Sequence, residues 1–410
     1  AGFIRGIERI GGFGGKADVL AECTVFTGDP GCYRNDLAVL DAATPASVQA
    51  AGKAWLSQGD MTLLVTPGDR PALVEDKSTA REGYVSPPIP AVDPTFTTTA
   101  STVDRSKGPP MPETFPALAF PALQRATLAN GMKVVLAERP GLPVVQMSME
   151  FRGGFAADQG RRLGTSSFTM GMLDEGAGDL DALQFGDRAE SLGAQVGAGA
   201  SLDGGNAFLS ALTENLDDSI GLFADMLRRP RFAADDVERV RATWLAGIKQ
   251  EKARPNSLAN RLLPPLMYGE GHPYAIPFSG TGTEASIAAL TVDEMKAYHR
   301  DFVRPDNATL IIVGDTTLAA ITPLLEKHFG DWQAPATPVP QPSVAAVELP
   351  KQPRVFLVDQ PGAIQATILA GQLAPPSTDA RSVEFDFANA VLGGEFSSRL
   401  NMNLREEKSW

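Results

Sequence analysis

The groups through which this 410-residue chain could hold a metal or move a proton are 3 histidines, 2 cysteines and 49 carboxylates. The histidines are His272, His299 and His328, and no two lie within one helical turn of each other. No helix face therefore presents two imidazoles at ligand spacing. His272 sits in GHPY, where Pro273 enforces an extended turn. His299 and His328 fall in helical patterns beside Tyr298 and Phe329. Structural or exposed roles are expected for all three, and no zinc site is expected in this chain. No G-x-S-x-G elbow suggests a serine hydrolase. Carboxylates such as Asp235, Asp236 and Glu238 open a helical pattern, where they favour the positive end of the helix dipole. Cys23 and Cys32 are read either as two small buried hydrophobes or as one short-loop disulfide, which would place the protein outside the cytosol. GGFGGKAD fails as a phosphate loop, because Ile10 and Ala17 stand where glycine and Ser/Thr are needed. It reads as a helix stop, a glycine turn and a helix restart.

One stretch is weak where a helix should be strong. RLGTSSFTMGMLDEGAG, residues 162–178, places Leu163, Phe168, Met172 and Leu173 on an apolar face. The turn between them holds Ser166, Ser167, Met170 and Gly171. A helical glycine costs about 1 kcal/mol against alanine, and these residues bring no chemistry in return.

Composition is that of a globular chain, 43% hydrophobic and 21% charged. The net charge of −13 argues against a nucleic-acid surface. No apolar run reaches the roughly 18 residues of a membrane helix. AGFIRGIERIGGFGG has neither a charged n-region nor an apolar h-region, so no signal peptide is expected there. The repeats below suggest that the chain starts inside a domain, so this says little about compartment.

Residues 71–121 are rich in proline and threonine and lack helical period, as a linker would. From 122 to 340 strands come in hairpins and helices in runs. MKVVLAER and VVQMSMEF predict strands over 132–139 and 144–151, and QVGAGASL and NAFLSALT a second pair. This pattern predicts an α+β fold: two-layer modules, each an antiparallel or mixed sheet with helices packed on one face. Two internal matches predict repetition. The stretch from Thr44 matches that from Thr291, with Trp55 on Phe302 and Thr62–Val65 on Thr309–Ile312, each a capped helix leading into a buried strand. KVVLAERPG from Lys133 matches RVFLVDQPG from Arg354. The expected organisation is the tail of one module over 1–70, the linker over 71–121, a whole module over 122–345 and the head of another over 350–410.

LANGMKVVLAER, FRGG followed by LGTSSFTMGMLDEGA, ADMLRRPRF, MYGEGHPYAIPFSGT, LTVDEMKAYHRDFVRPDNATLIIVGD and SSRLNMNLREEKSW stand in an order that resembles the insulinase/pitrilysin family of zinc metallopeptidases. The metal motif of that family is the inverted H-x-x-E-H. The resemblance implies a clamshell of two halves, each holding two similar α+β domains. It places 122–345 as the metal-free third domain, with parts of the second and fourth on either side. The weak helix then has an explanation. Ser167 and Gly171 stand at the two histidine positions and Met170 at the glutamate position. The third ligand follows an E-R pair, and after Glu238-Arg239 that position holds Leu245. Ser167, Met170, Gly171 and Leu245 cannot bind zinc or activate water. In the fourth domain the resemblance puts Arg405 where the family holds the substrate backbone, with the companion tyrosine position beyond Trp410. The plainer role for Arg405 is that of a surface arginine at a helix end.

These readings predict a non-catalytic half that encloses unfolded peptides, with zinc and the catalytic residues on an upstream half, on the same or a separate polypeptide. The rivals are an inactive peptide-binding or assembly subunit of the same family, and a plain α+β scaffold. Peptides and the catalytic half are the expected partners. A periplasmic or secreted location is expected.

Overall fold

A computed structural model describes residues 2–10, 13–57, 59–66, 68, isolated positions between 102 and 117, 119–363 and 365–409. The expected linker over 71–121 lies almost wholly outside the described residues. The chain divides into two compact units, Gly11–Phe120 on one hand and Ala1–Ile10 with Pro121–Trp410 on the other.

The larger unit opens with α1 (Gly2–Gly6). In the smaller unit follow α2 (Lys16–Thr27), α3 (Tyr33–Asp41) and α4 (Pro45–Leu56). Gly28, at φ 76°, ends α2 in the left-handed conformation. Cys23 and Cys32, whose role the sequence left open, are bonded to each other with Cα atoms 5.4 Å apart.

The rest of the larger unit starts with β1 (Leu123–Thr127), which the sequence patterns did not suggest, then β2 (Lys133–Glu138) and β3 (Val144–Arg152). After them come α5 (Thr165–Met170), α6 (Ala182–Ser191), β4 (Gln195–Ala200) and β5 (Gly204–Leu212). The helical run is α7 (Leu216–Arg228), α8 (Ala234–Ala253), α9 (Pro255–Tyr268), α10 (Glu284–Ala288) and α11 (Val292–Phe302). β6 (Ala308–Gly314) and α12 (Leu318–Phe329) complete the module, and α13 (Ser382–Asn389) and α14 (Arg399–Asn401) follow later.

The six strands form one sheet in the order β1-β2-β6-β3-β5-β4. Only β2 and β6 run parallel, because β6 returns to the sheet after the helical run. Alternation fixes the two faces. Val134, Leu136, Met147, Met149, Leu209, Leu310 and Ile312 are buried on the inner face under the helices. Gln146, Glu150, Phe208 and Ile311 point out and are exposed. The architecture is thus α+β, a mixed sheet with the helices that follow β3 packed on its inner face.

The repeats show how far local sequence reaches. α4 and α11 are both closed by capping boxes, Thr44 with Ser47 and Thr291 with Glu294. Yet the strand after α11 is the central β6, whereas Thr62–Val65 forms no strand and leaves Leu63 77% exposed. Likewise Leu136 in β2 is fully buried while its match, Leu357, is 96% exposed in a segment without strand pairing. The expectation of buried strands at these two places is corrected. β2 and β6 have neighbours on both sides; among the described residues the other two segments pair with no strand.

Candidate functional site

The weak helix is α5, a single short helix entered through Gly164 at φ 90°. A Cβ there would lie 2.8 Å from Ile287 Cδ1 and 3.0 Å from the Thr281 carbonyl, so glycine is required by both conformation and space. Helix entry leaves backbone N–H groups without intrahelical acceptors. The carboxylate of buried Asp158 takes two of them, from Gly164 at 2.7 Å and Ser166 at 3.0 Å. Burial pushes the Asp158 pKa up to about 7, against the pull of those N–H groups and of Arg161.

Of the positions that the sequence matched to the metal motif, Ser167 and Met170 are buried in α5, and Gly171, its C-cap, is half-buried. Ser167 Oγ has no hydrogen-bond partner, nor has Thr169 Oγ1 two residues on. Ser167 is boxed in at Gly280, where a Cβ would lie 2.7 Å from Ser167 Oγ and 2.5 Å from Phe155 Cδ1. Met170 is fully buried, and its thioether packs on β5, with Cε 3.3 Å and Sδ 3.6 Å from where a Gly205 Cβ would be. Gly171 closes the helix, and a Cβ there would sit 3.6 Å from the Trp244 ring.

Trp244 comes from α8, the helix that also carries Leu245. Its indole meets the Phe168 ring edge-on at 5.4 Å, and its N–H donates to the Thr281 carbonyl at 3.0 Å. Leu245 is half-buried against the hydrophobic core. A cleft of about 350 Å³ runs along α8, lined among others by Val240, Trp244, Glu175 and Glu251. Ion pairs bind its acidic groups: Glu175 to Arg239 and Glu251 to Arg261, each at 2.5 Å.

Zinc does not fit these residues. Hydroxyl, thioether, glycine and leucine offer no imidazole or carboxylate, and the hydroxyls are sealed among apolar groups. Among the described residues no three His, Cys, Asp or Glu side chains cluster as metal ligands would. The histidines are engaged separately. His272 Nε2 lies 3.0 Å from the Ala345 carbonyl, His299 Nε2 2.7 Å from the Leu227 carbonyl and His328 Nε2 2.7 Å from Asp217. Burial lowers the His299 pKa, against the pull of the Leu227 carbonyl.

Arg405 is not brought to this site by any contact. It stands in a π-helical turn, Met402–Glu407, with its guanidinium 5.2 Å over the Phe396 ring and 3.7 Å from Glu406. Its side chain is 64% exposed. Sequence reasoning missed Asp158 and Trp244. FAAD gave no sign that its aspartate turns back to the helix start, whereas Trp244, next to the third-ligand position, could have been found there.

Comparison with known proteins bears on these features. A family model described as insulinase, peptidase family M16, matches residues 133–279. One described as peptidase M16 inactive domain matches residues 289–410. A protein described as an uncharacterized zinc protease, YmxG of Bacillus subtilis, is 25% identical over 286 residues, covering 70% of this chain and 68% of its own. A Helicobacter pylori protein described as a non-peptidase homolog is 23% identical over 182 residues, 44% of this chain and 41% of its own. The crystal structure of a peptidase M16 inactive domain from Pseudomonas fluorescens is similar at a TM-score of 0.58, with 27% identity over 70% of this chain and 68% of that one. No helix of the described residues is long and apolar enough to cross a membrane. Two models of one family account for residues 133–279 and 289–410, and the chain belongs to the insulinase family of peptidases, M16.

Proposed function

We propose that this chain is the non-catalytic half of an M16 zinc peptidase. It encloses and grips unfolded peptides, while an upstream half holds the zinc, its ligands and the glutamate base. The observation that carries this reading is the burial of Ser167 and Met170, with half-buried Gly171 after them, at the positions where the family places its metal motif. The frame of a metal site is kept and its donors are replaced by residues that cannot ligate. Arg405 is the residue that would touch the peptide, because a guanidinium offers five donors in a rigid fork to backbone carbonyls. The exposure of its side chain agrees with that role. The bond between Cys23 and Cys32 favours a periplasmic or secreted protein.

A second reading is an inactive peptide-binding or assembly subunit of the same family, and the naming of the H. pylori relative as a non-peptidase favours it. One experiment separates the two. Zinc and peptidase activity are measured on the purified chain and on the complete protein from its native host. The first reading expects neither in the chain alone, and both in the complete protein. Zinc and activity absent from both would leave the second reading. One tightly held zinc per chain of this mass would overturn both.

A further inference from the structure

The outer face of the sheet carries a guanidinium that is bonded only to neutral oxygens. Arg5, at the end of α1, donates from Nε to Ser210 Oγ at 2.8 Å and from a terminal nitrogen to the Ser210 carbonyl at 2.9 Å. The same nitrogen donates to the Gly193 carbonyl. Ser210 is only 4% exposed. Burial pulls the Arg5 pKa down, as it does for a cation away from water. Three positions on, Glu8 pairs with Arg139 at 2.7 Å.

These two anchors stand at opposite sides of the sheet. Ser210 is on β5, Gly193 lies just before β4, and Arg139 directly follows β2. Pairing register puts Ala137, Val313, Gln146, Ser210 and Gln195 in one row across the strands, all on the outer face. From β2 to β5 that row spans about 14 Å at about 4.8 Å per strand. Ala137 and Ser210 are buried although they point outward, and Gln146 between them is exposed. Residues 2–8 therefore form a strap held at Arg5 and at Glu8. No residue of the strap belongs to the hydrophobic core, so the surface beneath it is built without it.

We propose that the carbonyls of Gly193 and Ser210 and the Ser210 hydroxyl form an arginine-docking site. Residues 2–8 fill it in cis, and a peptide carrying an arginine with a carboxylate three positions on fills it in trans once the strap is released. Two carbonyls and a hydroxyl converge on one fork, a geometry that suits guanidinium and not the point charge of lysine. Arg139 supplies the second, charge-selective contact. The site stands on its own contacts, whether or not the chain grips substrates for a peptidase.

The test uses the full chain and a fluorescent peptide, GFIRGIERI, the sequence of residues 2–10. Polarisation is titrated against the wild type and against the Arg5→Ala/Glu8→Ala chain, with folding checked by circular dichroism. The released chain is expected to bind saturably, and the wild type at least tenfold more weakly, since its own strap competes. A peptide with alanine for its arginine is expected to lose at least tenfold, and Ser210→Ala in the released chain severalfold. No saturable binding by the folded double variant, or equal binding of the arginine-free peptide, would overturn the proposal. Hydrogen exchange gives a second readout. Arg5→Ala should expose the amides of residues 2–8 and leave β2 protected; unchanged protection of residues 2–8 would count against the site.

Discussion

The carboxylate of Asp158 accepts the backbone N–H of Gly164 at 2.7 Å, so an acid before a glycine-rich turn closes the start of the helix after it. That acid is buried, and its pKa is raised to about 7. Between the ordinary aspartate value near 3.8 and about 7, the folded protein keeps a proton that the unfolded chain has lost. The stabilisation is complete below the lower value and is lost as pH rises through the higher one. Melting temperatures of the wild type and Asp158→Asn, measured from pH 4 to pH 8, should show the wild type losing stability relative to the variant as pH rises. Parallel curves would mean that Asp158 titrates normally.

The unpaired hydroxyls of α5 make a second expectation. A buried hydroxyl without a partner carries a desolvation penalty of about 1–3 kcal/mol. Thr169→Val keeps the shape and removes the hydroxyl, and Ser167→Ala does the same at the first motif position. Each should leave stability unchanged or raise it by about 1 kcal/mol in urea titration. Destabilisation by either would show that the hydroxyl has a partner in solution.

Restoring the family's motif should not restore its metal. Ser167→His, Met170→Glu, Gly171→His and Leu245→Glu together put the donors back into space where Trp244 and Gly205 already pack. Met170→Glu alone places a carboxylate at a fully buried position, with an expected loss of about 3 kcal/mol or more. Elemental analysis of the fourfold variant should find no stoichiometric zinc. Tight, stoichiometric zinc in a folded variant would mean that the pocket is open after all.

Arg405→Ala should leave the fold intact, because the side chain is mostly exposed and its near contacts are Phe396 and Glu406. In the complete protein the same change should lower kcat/KM for peptides by about tenfold or more, the range for a lost charge-assisted hydrogen bond. Unchanged kinetics would remove Arg405 from substrate binding.

The disulfide can be tested by replacing Cys23 and Cys32 with serine. The typical worth of such a bond is about 2–4 kcal/mol. Hydrogen exchange should rise in α2 and α3 and stay as it is in the sheet of the larger unit. Slow exchange retained in both helices would assign their order to packing.

Legibility in the sequence followed the range of the forces involved. α11 and β6 were readable because a capping box, apolar spacing and a strand-forming run act over a few residues. The match of Ser167, Met170 and Gly171 to a metal motif could be proposed from sequence because such a motif is contiguous. Asp158 was not readable, since its bonds depend on a turn that brings residues six and eight positions apart together. Trp244 could be placed beside the third-ligand position, but its contact with Gly171 depends on how α8 crosses α5. The failures at Thr62–Val65 and Val355–Val358 have a different cause: strand propensity is a demand for neighbours, and local sequence cannot say whether they are present.

Those two segments have a practical consequence. Leu63, Leu64, Val65, Val355 and Leu357 are each more than three-quarters exposed, and none of them carries charge. Apolar and, among the described residues, outside any strand pairing, they are templates for recruiting another chain's backbone. The colloidal behaviour of the isolated polypeptide will be governed by these short stretches more than by its net charge of −13, and its solubility should respond to one lysine placed in either of them.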